Sequence, residues 1–334
     1  MALALPATAA DTPSQPSPTQ AGELAFTCTH ERDRIPPRDP EADQLYKHAR
    51  WLRKRNILKK DPTAYPNIER LIRIATAYGH DKANLELRDL IERNQAVSAT
   101  PITESVNLVE ELVRRGIPGG YFDMGRYLLN GYGVKRDPEA GLNYIRKAAD
   151  FGNPDAQYWI GVKLSPIDKA PDVAAQMMLC AGEQGHKVAA QQVGVDLKND
   201  GDYKKAVYAL QLGAKAGSDL AAGFLAGGFK TEDPKNRIHY LALKSDAERV
   251  KRYLAIADFL SAYDYLNPSV AELDDIVPLP PAKLPSWNGK FKWLEEHNAK
   301  VPPPLPSEAR IAEMAKAKGL DPATGRPLAW GNTR

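Results

Sequence analysis

Five glycines recur through the middle of the chain at nearly constant spacing. Successive members are 37, 36, 33 and 32 residues apart. A period of this length is typical of repeats that each form one helix pair and stack on their neighbours as a solenoid. No other feature of the sequence constrains the fold as strongly. The five positions are Gly79, Gly116, Gly152, Gly185 and Gly217.

The register extends to the residues that follow each glycine. The residue four positions on is Ala or Gly in every unit, and the residue eight positions on is apolar. Three units carry a second glycine nine positions on, at Gly125, Gly161 and Gly194. Because glycine in a helix interior costs about 1 kcal/mol relative to alanine, its recurrence predicts a seam where two helices approach closely. The first glycine of each unit is predicted to end a helix in the left-handed conformation.

Composition predicts a water-soluble, mostly helical protein. Charged residues make up 26% of the chain, and the formal net charge is +3 at pH 7. This net charge is too small to indicate a nucleic-acid partner. No apolar run is long enough to span a bilayer, so stable membrane insertion is not expected.

The first 65 residues precede the regular repeats and divide into two segments. Residues 1–25 are predicted to be a disordered leader or the remnant of a signal peptide, because an Ala-rich start precedes a stretch rich in Pro, Ser and Thr. A signal peptide would direct the protein to the periplasm, and the alternative is the cytoplasm. Residues 26–65 are predicted to cap the solenoid. They include a basic helix at 43–60 that an acidic partner or an anionic lipid surface could bind, although a solvated face paired with upstream acidic residues is the favoured interpretation.

The chain has two cysteines, Cys28 and Cys180. They are compatible with one disulfide in an oxidising compartment. Cys180, however, lies in an apolar segment of a predicted packed helix, where a buried free thiol is the more common outcome. The favoured prediction is therefore two unpaired cysteines, with the disulfide as the alternative.

The remainder of the chain divides into three segments. Residues 66–230 are assigned to the solenoid, residues 231–277 to C-terminal capping helices, and residues 278–334 to a proline-rich tail with short helices. Eight prolines fall between 278 and 306, which excludes a long regular helix there. Large aromatic side chains in this segment are rare in free linkers. The tail is therefore predicted to wrap back onto the solenoid, with a partner-binding strap as the alternative.

The unit from Gly119 to Asn153 carries a more specific pattern. A first helical segment ends in Gly-Tyr-Gly-Val, and a second one begins after Asp137-Pro138. Asp137 can cap that second helix, and Pro138 suits its first turn. This pattern resembles the Sel-like repeat, a relative of the tetratricopeptide repeat. The predicted fold is an all-α, right-handed solenoid of antiparallel helix pairs, followed by a proline-rich, partly irregular C-terminal extension.

Three segments make the resemblance more specific, and they are residues 26–31, 117–125 and 319–325. Together they are similar to bacterial Sel-like repeat proteins that act as immunity partners of type VI secretion phospholipase effectors. The resemblance implies a non-catalytic protein that binds a cognate phospholipase toxin in the periplasm. Binding would block the active site of the toxin or its approach to the membrane. The implied partner is a protein, and no cofactor is implied.

Patterns typical of catalysis or metal binding are scarce. The six histidines are scattered, and no Cys-x-x-Cys, Gly-x-Ser-x-Gly or phosphate-loop motif occurs. His80 and His186 directly follow their repeat glycines and are predicted to be structural. The chain is therefore predicted not to be an enzyme and to bind neither metal nor cofactor. A hydrolase that uses Cys28 or His30 is the minority alternative.

The repeat register also predicts a binding surface. With the repeat glycine counted as zero, offsets 4, 8, 9 and 12 share a packed face at 100° per residue, and offsets 6 and 10 face the opposite way. In related repeat proteins that opposite face lines a concave groove. Aromatic side chains beside an arginine there have the composition of a binding hot spot. The candidate binding residues are Phe122, Arg126, Tyr158, Trp159, Val162, Gln191 and Val195.

Two alternatives concern this surface and its use. In the first, the C-terminal tail covers the predicted face. In the second, the chain is a general scaffold or adaptor for envelope or signalling complexes and not the inhibitor of one toxin.

Overall fold

A computed structural model describes residues 24–165 and 169–328 of the chain. Within these ranges it contains fifteen α-helices, and the one β feature is an isolated bridge between Leu320 and Pro327. The all-α prediction is confirmed. None of the helices in these ranges is both long and apolar enough to cross a bilayer. The predicted leader at 1–25 lies almost entirely outside the described residues.

Twelve of the helices form six consecutive pairs. The two helices of a pair pack side by side, and the second helix of each pair packs on the first helix of the next. The pairs are α1 (Pro40–Asn56) with α2 (Tyr65–Ala77), α3 (Asp81–Glu92) with α4 (Pro101–Arg114), α5 (Pro118–Asn130) with α6 (Pro138–Asp150), α7 (Pro154–Leu164) with α8 (Pro171–Glu183), α9 (Lys187–Asn199) with α10 (Tyr203–Ala216), and α11 (Asp219–Lys230) with α12 (Ala247–Ala262).

Three shorter helices follow the last pair. They are α13 (Leu273–Ile276), α14 (Lys292–Ala299) and α15 (Glu308–Ala317). The side chain of Ser307 caps α15 by accepting a hydrogen bond from the Arg310 amide at 3.3 Å. Irregular chain rich in proline connects these helices, because proline cannot continue a helix from within.

Each repeat glycine ends a helix with φ between 72° and 109°. The amide of the next residue donates to a carbonyl five residues back, as Asn153 does to Ala148 at 2.9 Å. In four of the five turns the side chain of that same residue also caps the following helix. One two-residue turn thus closes a helix and opens the next. The four capping residues are His80, Asn153, His186 and Ser218.

The second glycines form a close-packed seam between the two helices of a pair. A Cβ atom on Gly125 would lie 2.5 Å from Cγ1 of Ile145 and 2.8 Å from the carbonyl oxygen of Gly141. Gly161 and Gly194 have similarly close neighbours on the facing helix. The helices of these pairs therefore approach to a distance that only glycine permits.

The segment before α1 lies across the turns between repeats. The Thr29 hydroxyl donates to the carbonyl of Asp150 at 2.7 Å. Two residues later, the Glu31 amide donates to the side chain of Gln184 at 2.8 Å. These contacts join the segment to the turns that precede α7 and α9.

Cys28 of this segment forms a disulfide with Cys180 of α8, with the two Cα atoms 5.6 Å apart. The prediction of two unpaired cysteines is therefore wrong. Cys180 is buried, at 2% exposure, but burial does not prevent pairing here because the N-terminal segment carries Cys28 onto α8. Nothing in the repeat register indicates that a segment ahead of the repeats packs against a helix 152 residues further along.

The C-terminal tail connects the last helix pair to the first. Phe291 is buried and stacks on Phe259 of α12, with ring centroids 4.3 Å apart. Further along, Ile311 of α15 lies in the apolar core that α1 and α2 build. Arg326 then pairs with the buried Glu69 of α2 at 3.0 Å. The tail therefore packs on both ends of the helix stack.

Removal of the disulfide is expected to destabilise the protein. The bond joins residues 152 positions apart, and loss of a native disulfide typically costs about 2–5 kcal/mol. In urea unfolding, the double variant Cys28→Ser, Cys180→Ser should lose that much free energy of unfolding. A reductant should destabilise the wild type equally and leave the double variant unaffected. Equal stability of wild type and variant would contradict this role for the bond.

Gly125→Ala is expected to destabilise the fold by about 1–3 kcal/mol, because its methyl group would overlap Ile145 and the backbone of the facing helix. Gly223→Ala in α11 is the matched control, since no atom lies within 4 Å of the added Cβ there. That control should gain up to about 1 kcal/mol from helix propensity. Urea unfolding measures the stability of both variants. A gain in stability for both would show that the seam can accommodate a methyl group at position 125.

Candidate interaction surface

The predicted binding residues lie on the first helices of three successive pairs. Each first helix begins at a repeat glycine turn, so the register fixes which residues share a face. The contacts of these residues nevertheless divide them into three groups. The residues are Phe122 and Arg126 on α5, Tyr158, Trp159 and Val162 on α7, and Gln191 and Val195 on α9.

Phe122, Arg126, Trp159 and Val162 form one surface across α5 and α7, which we call the aromatic patch. Phe122 and Trp159 are half-buried and pack on the same apolar cluster. The exposed Arg126 guanidinium lies 5.9 Å from the centre of the Phe122 ring. Val162 is 39% exposed, and the ammonium of its neighbour Lys163 lies 5.4 Å from the Trp159 ring. Aromatic rings flanked by cations are common at the centres of protein interfaces.

Tyr158 is engaged in packing between two pairs. It packs against the apolar cluster that includes Met178 and Val193, and its ring centre is 4.6 Å from that of His186. Its hydroxyl donates to the side chain of Gln192 at 3.4 Å. The structure thus gives Tyr158 a structural role in addition to any contact with a partner.

Gln191 and Val195 lie apart from the aromatic patch. The Gln191 side chain accepts a hydrogen bond from the Ser218 hydroxyl at 2.8 Å, so it faces the turn that opens α11. Val195 is half-buried on the same helix. For these two residues, as for the other five, a role in binding stays a prediction.

The described part of the C-terminal tail leaves the aromatic patch uncovered. Apolar tail residues belong to the clusters at the two ends of the stack, with Ile311 in the first and Phe291 in the last. The cluster beneath the patch is built by α5, α6 and α7. The patch is therefore available to another molecule as far as residues 278–328 are concerned.

A buried charge network lies next to the patch. Asp123 is 5% exposed, and its carboxylate lies 3.2 Å from the guanidinium of Arg88 on α3. Arg88 also pairs with Glu92 at 3.4 Å, and Glu92 accepts a 2.5 Å hydrogen bond from Tyr127. Burial outweighs the attraction of the shared arginine and raises the pKa of Asp123 to about 6. Asp123 occupies the same offset, seven residues after the repeat glycine, as Trp159, but it is not among the predicted residues because the offsets predicted to face the groove are 6 and 10.

A cleft of 710 Å³ opens between the N-terminal segment and the starts of α1, α3 and α7. His30 lines it and lies 3.7 Å from Glu183. The sulfurs of Cys28 and Cys180 lie within 4.8 Å of a His30 ring nitrogen, but they are bonded to each other. The thiol chemistry considered for Cys28 therefore lacks a free thiol.

Asp123 is expected to make the protein more stable as the pH falls from 7 to 5. Its folded-state pKa of about 6 exceeds the unfolded value of roughly 3.9, so the folded state takes up a proton first and the cost of burying the charge disappears. Relative to Asp123→Asn, the wild type should gain about 1 kcal/mol of unfolding free energy over this range. Urea titrations at several pH values measure the difference, and a difference independent of pH would contradict the buried charge.

Parts of the chain are similar to one family profile and to several solved structures. A family profile described as a domain of unknown function (DUF6396) matches residues 221–328, which span the last helix pair and most of the tail. A search of the curated proteins found no match.

Solved structures from Pseudomonas aeruginosa match a larger part of the chain. The immunity protein Pa5087 is 27% identical, with a TM-score of 0.58 over 77% of this chain and 95% of its own. The immunity protein PA5088 is 25% identical, with a TM-score of 0.57 over 77% of this chain and 94% of its own. A third protein, PA5086, is 29% identical, with a TM-score of 0.57 over 77% of this chain and 95% of its own.

The resemblance expected from the repeats is confirmed by these matches. The chain is an all-α solenoid of stacked helix pairs, and over about three quarters of its length it is similar to immunity proteins of Pseudomonas aeruginosa.

Proposed function

We propose that this protein is an immunity protein that neutralises a cognate toxin by binding it. The observation that carries the proposal is the similarity to Pa5087 and PA5088, which extends over 77% of this chain and nearly the full length of both immunity proteins. Inhibition by an immunity protein needs a stable complex and no chemistry. A rigid stack of helices with an accessible aromatic patch suits that task.

The aromatic patch is the proposed contact surface for the toxin. Its two aromatic side chains are already held in place by packing on their undersides, so little conformational entropy is lost when a partner covers them. Arg126 is exposed at its edge and can pair with a carboxylate of the toxin. A hot spot of this kind contributes most of the affinity of a protein interface.

The finer identity of the toxin rests on the sequence resemblance. We propose a phospholipase effector of a type VI secretion system, bound stoichiometrically so that its active site or its approach to the membrane is blocked. The periplasm is the proposed compartment. The disulfide between Cys28 and Cys180 supports it, because disulfides persist in the oxidising periplasm and are rare in the cytosol.

The alternative function is a general Sel-like scaffold for envelope or signalling complexes. A scaffold would bind several partners through different repeats, whereas an immunity protein binds one toxin tightly. Crosslinking followed by mass spectrometry distinguishes the two by the number of partners recovered.

Arg126→Glu with Val162→Asp is expected to weaken the complex with the proposed phospholipase effector. Both side chains are exposed, so the fold should be preserved, and loss of a hot spot should cost about 2 kcal/mol or more, roughly thirtyfold in Kd. Calorimetric titration of the purified proteins measures the affinity. Survival of cells that receive the toxin in the periplasm measures protection.

Leu142→Asp is the matched control for this experiment. Leu142 is 49% exposed on α6, a second helix outside the proposed surface, so the substitution should leave affinity and protection unchanged. Failure of the wild type to bind or protect against the effector would reject the immunity proposal. Equal binding by the wild type and the double variant would reject the aromatic patch as the contact surface and would leave the immunity proposal standing.

A further inference from the structure

A second cleft, separate from the aromatic patch, lies where the tail crosses the first helix. It has a volume of 470 Å³ and opens between the C-terminal half of α1 and the helix α14. Indole rings stand on both sides of it. We call it the basic cleft. The lining residues that matter here are Trp51, Lys54 and Arg55 from α1, Trp293 and His297 from α14, and Val301 beyond it.

The cations around the basic cleft have no acidic partners within ion-pair distance in the described ranges. This holds for Lys54, Arg55 and Lys300, although Arg53, which directly precedes Lys54, pairs with Glu86 and Asp89 of α3. Arg55 instead lies 4.9 Å from the Trp51 ring centre.

The charge of the cleft is positive at its centre. Burial, together with Arg55, Lys54 and Lys300, lowers the pKa of His297. Glu296 is the one acidic residue of the cleft lining. The neighbouring Glu295 pairs with Lys290 at 3.2 Å.

Two aliphatic side chains project into solvent beside these cations. Val301 is 71% exposed and lines the cleft. Leu58 is 69% exposed and lies one turn beyond Lys54. They are the two most exposed large aliphatic side chains in the described ranges. Lys59 and Lys60 follow Leu58 directly and are exposed as well.

We propose that the basic cleft is a peripheral membrane-binding site for anionic phospholipids. The phosphate of a headgroup would lie against Lys54 and Arg55, between the two indole rings, while Leu58 and Val301 enter the outer part of the acyl region. Tryptophan favours the interface between water and acyl chains, and clustered lysine and arginine are attracted to anionic lipid. Apolar side chains that project beside them add burial in the bilayer.

An acidic protein segment is the other ligand that matches the charge. It fits the observations less well, because a peptide held in the cleft would leave Leu58, one turn outside it, in water. A bilayer engages the cleft and both aliphatic side chains at once. The site goes beyond the proposed immunity function: the toxin would be bound by the aromatic patch, and the basic cleft would hold the protein at the lipid surface.

Vesicle sedimentation tests the proposal with the full chain. The wild type should sediment with vesicles of phosphatidylglycerol and phosphatidylcholine in equal parts and remain in solution with phosphatidylcholine alone. Lys54→Glu with Arg55→Glu should weaken binding at least about tenfold, and so should Leu58→Asp with Val301→Asp. Ile238→Asp is the matched control, since Ile238 is 67% exposed away from the cleft, and it should bind as the wild type does.

A second experiment locates the contact. Both native cysteines are in the disulfide, so Val301→Cys provides a single free thiol for an environment-sensitive fluorophore. Its emission should shift to the blue on addition of the anionic vesicles and be quenched by nitroxide-labelled lipid. The same label at Ile238→Cys should show neither effect.

Three results would overturn the proposal. The first is no sedimentation of the wild type with anionic vesicles. The second is binding of glycerol phosphate or of a polyglutamate peptide to the cleft without vesicle binding, which would indicate a free phosphate or an acidic protein segment as the ligand. The third is a label at position 301 that is already shielded without lipid and does not respond to vesicles, which would mean that the chain itself covers the cleft. Toxin binding by the purified variants is measured separately, so failure of this site leaves the immunity proposal standing.

Discussion

The glycine turn between repeats is the constraint on which the rest of the structure depends. Each of the five glycines adopts a left-handed φ, which residues with a side chain adopt only at a cost. The backbone amide of the residue after the glycine donates a hydrogen bond to the helix that ends there. In four of the five turns the side chain of that residue also caps the helix that follows. The geometry of one short turn therefore sets the angle between successive helices. The faces of α5 and α7 that carry the aromatic patch follow from this repeated geometry.

Contacts distant in sequence hold the two ends of the stack together. The N-terminal segment is joined to α8 by the disulfide between Cys28 and Cys180 and to α3 by the pairing of Arg38 with Asp81 at 2.5 Å. The tail joins the last pair to the first through its own apolar residues. A simple solenoid has contacts between neighbours alone and opens from its ends. Here each end is fixed by a segment from elsewhere in the chain, so the ends should unfold together with the middle.

The repeats could be predicted from the sequence because their signal is local. A glycine with small and apolar residues at fixed offsets reports on one turn and its two helices, and the structure has these helices and the close seam at Gly125. The disulfide could not be predicted in this way, because it depends on where a segment outside the register packs. The candidate site could be predicted only in part. Periodicity placed Phe122, Arg126 and Val162 on one face, but it could not show that Tyr158 packs between pairs or that Gln191 bonds to Ser218.

The proposed mode of inhibition depends on toxin binding to the first helices of the middle pairs. Hydrogen exchange with mass spectrometry, with and without the cognate phospholipase effector, tests it most directly, because amide protection reports the covered surface without any substitution. Exchange is expected to slow in α5 and α7, residues 118–130 and 154–164, when the effector is bound. Protection confined to the tail or to other helices, or no protection at all, would contradict it.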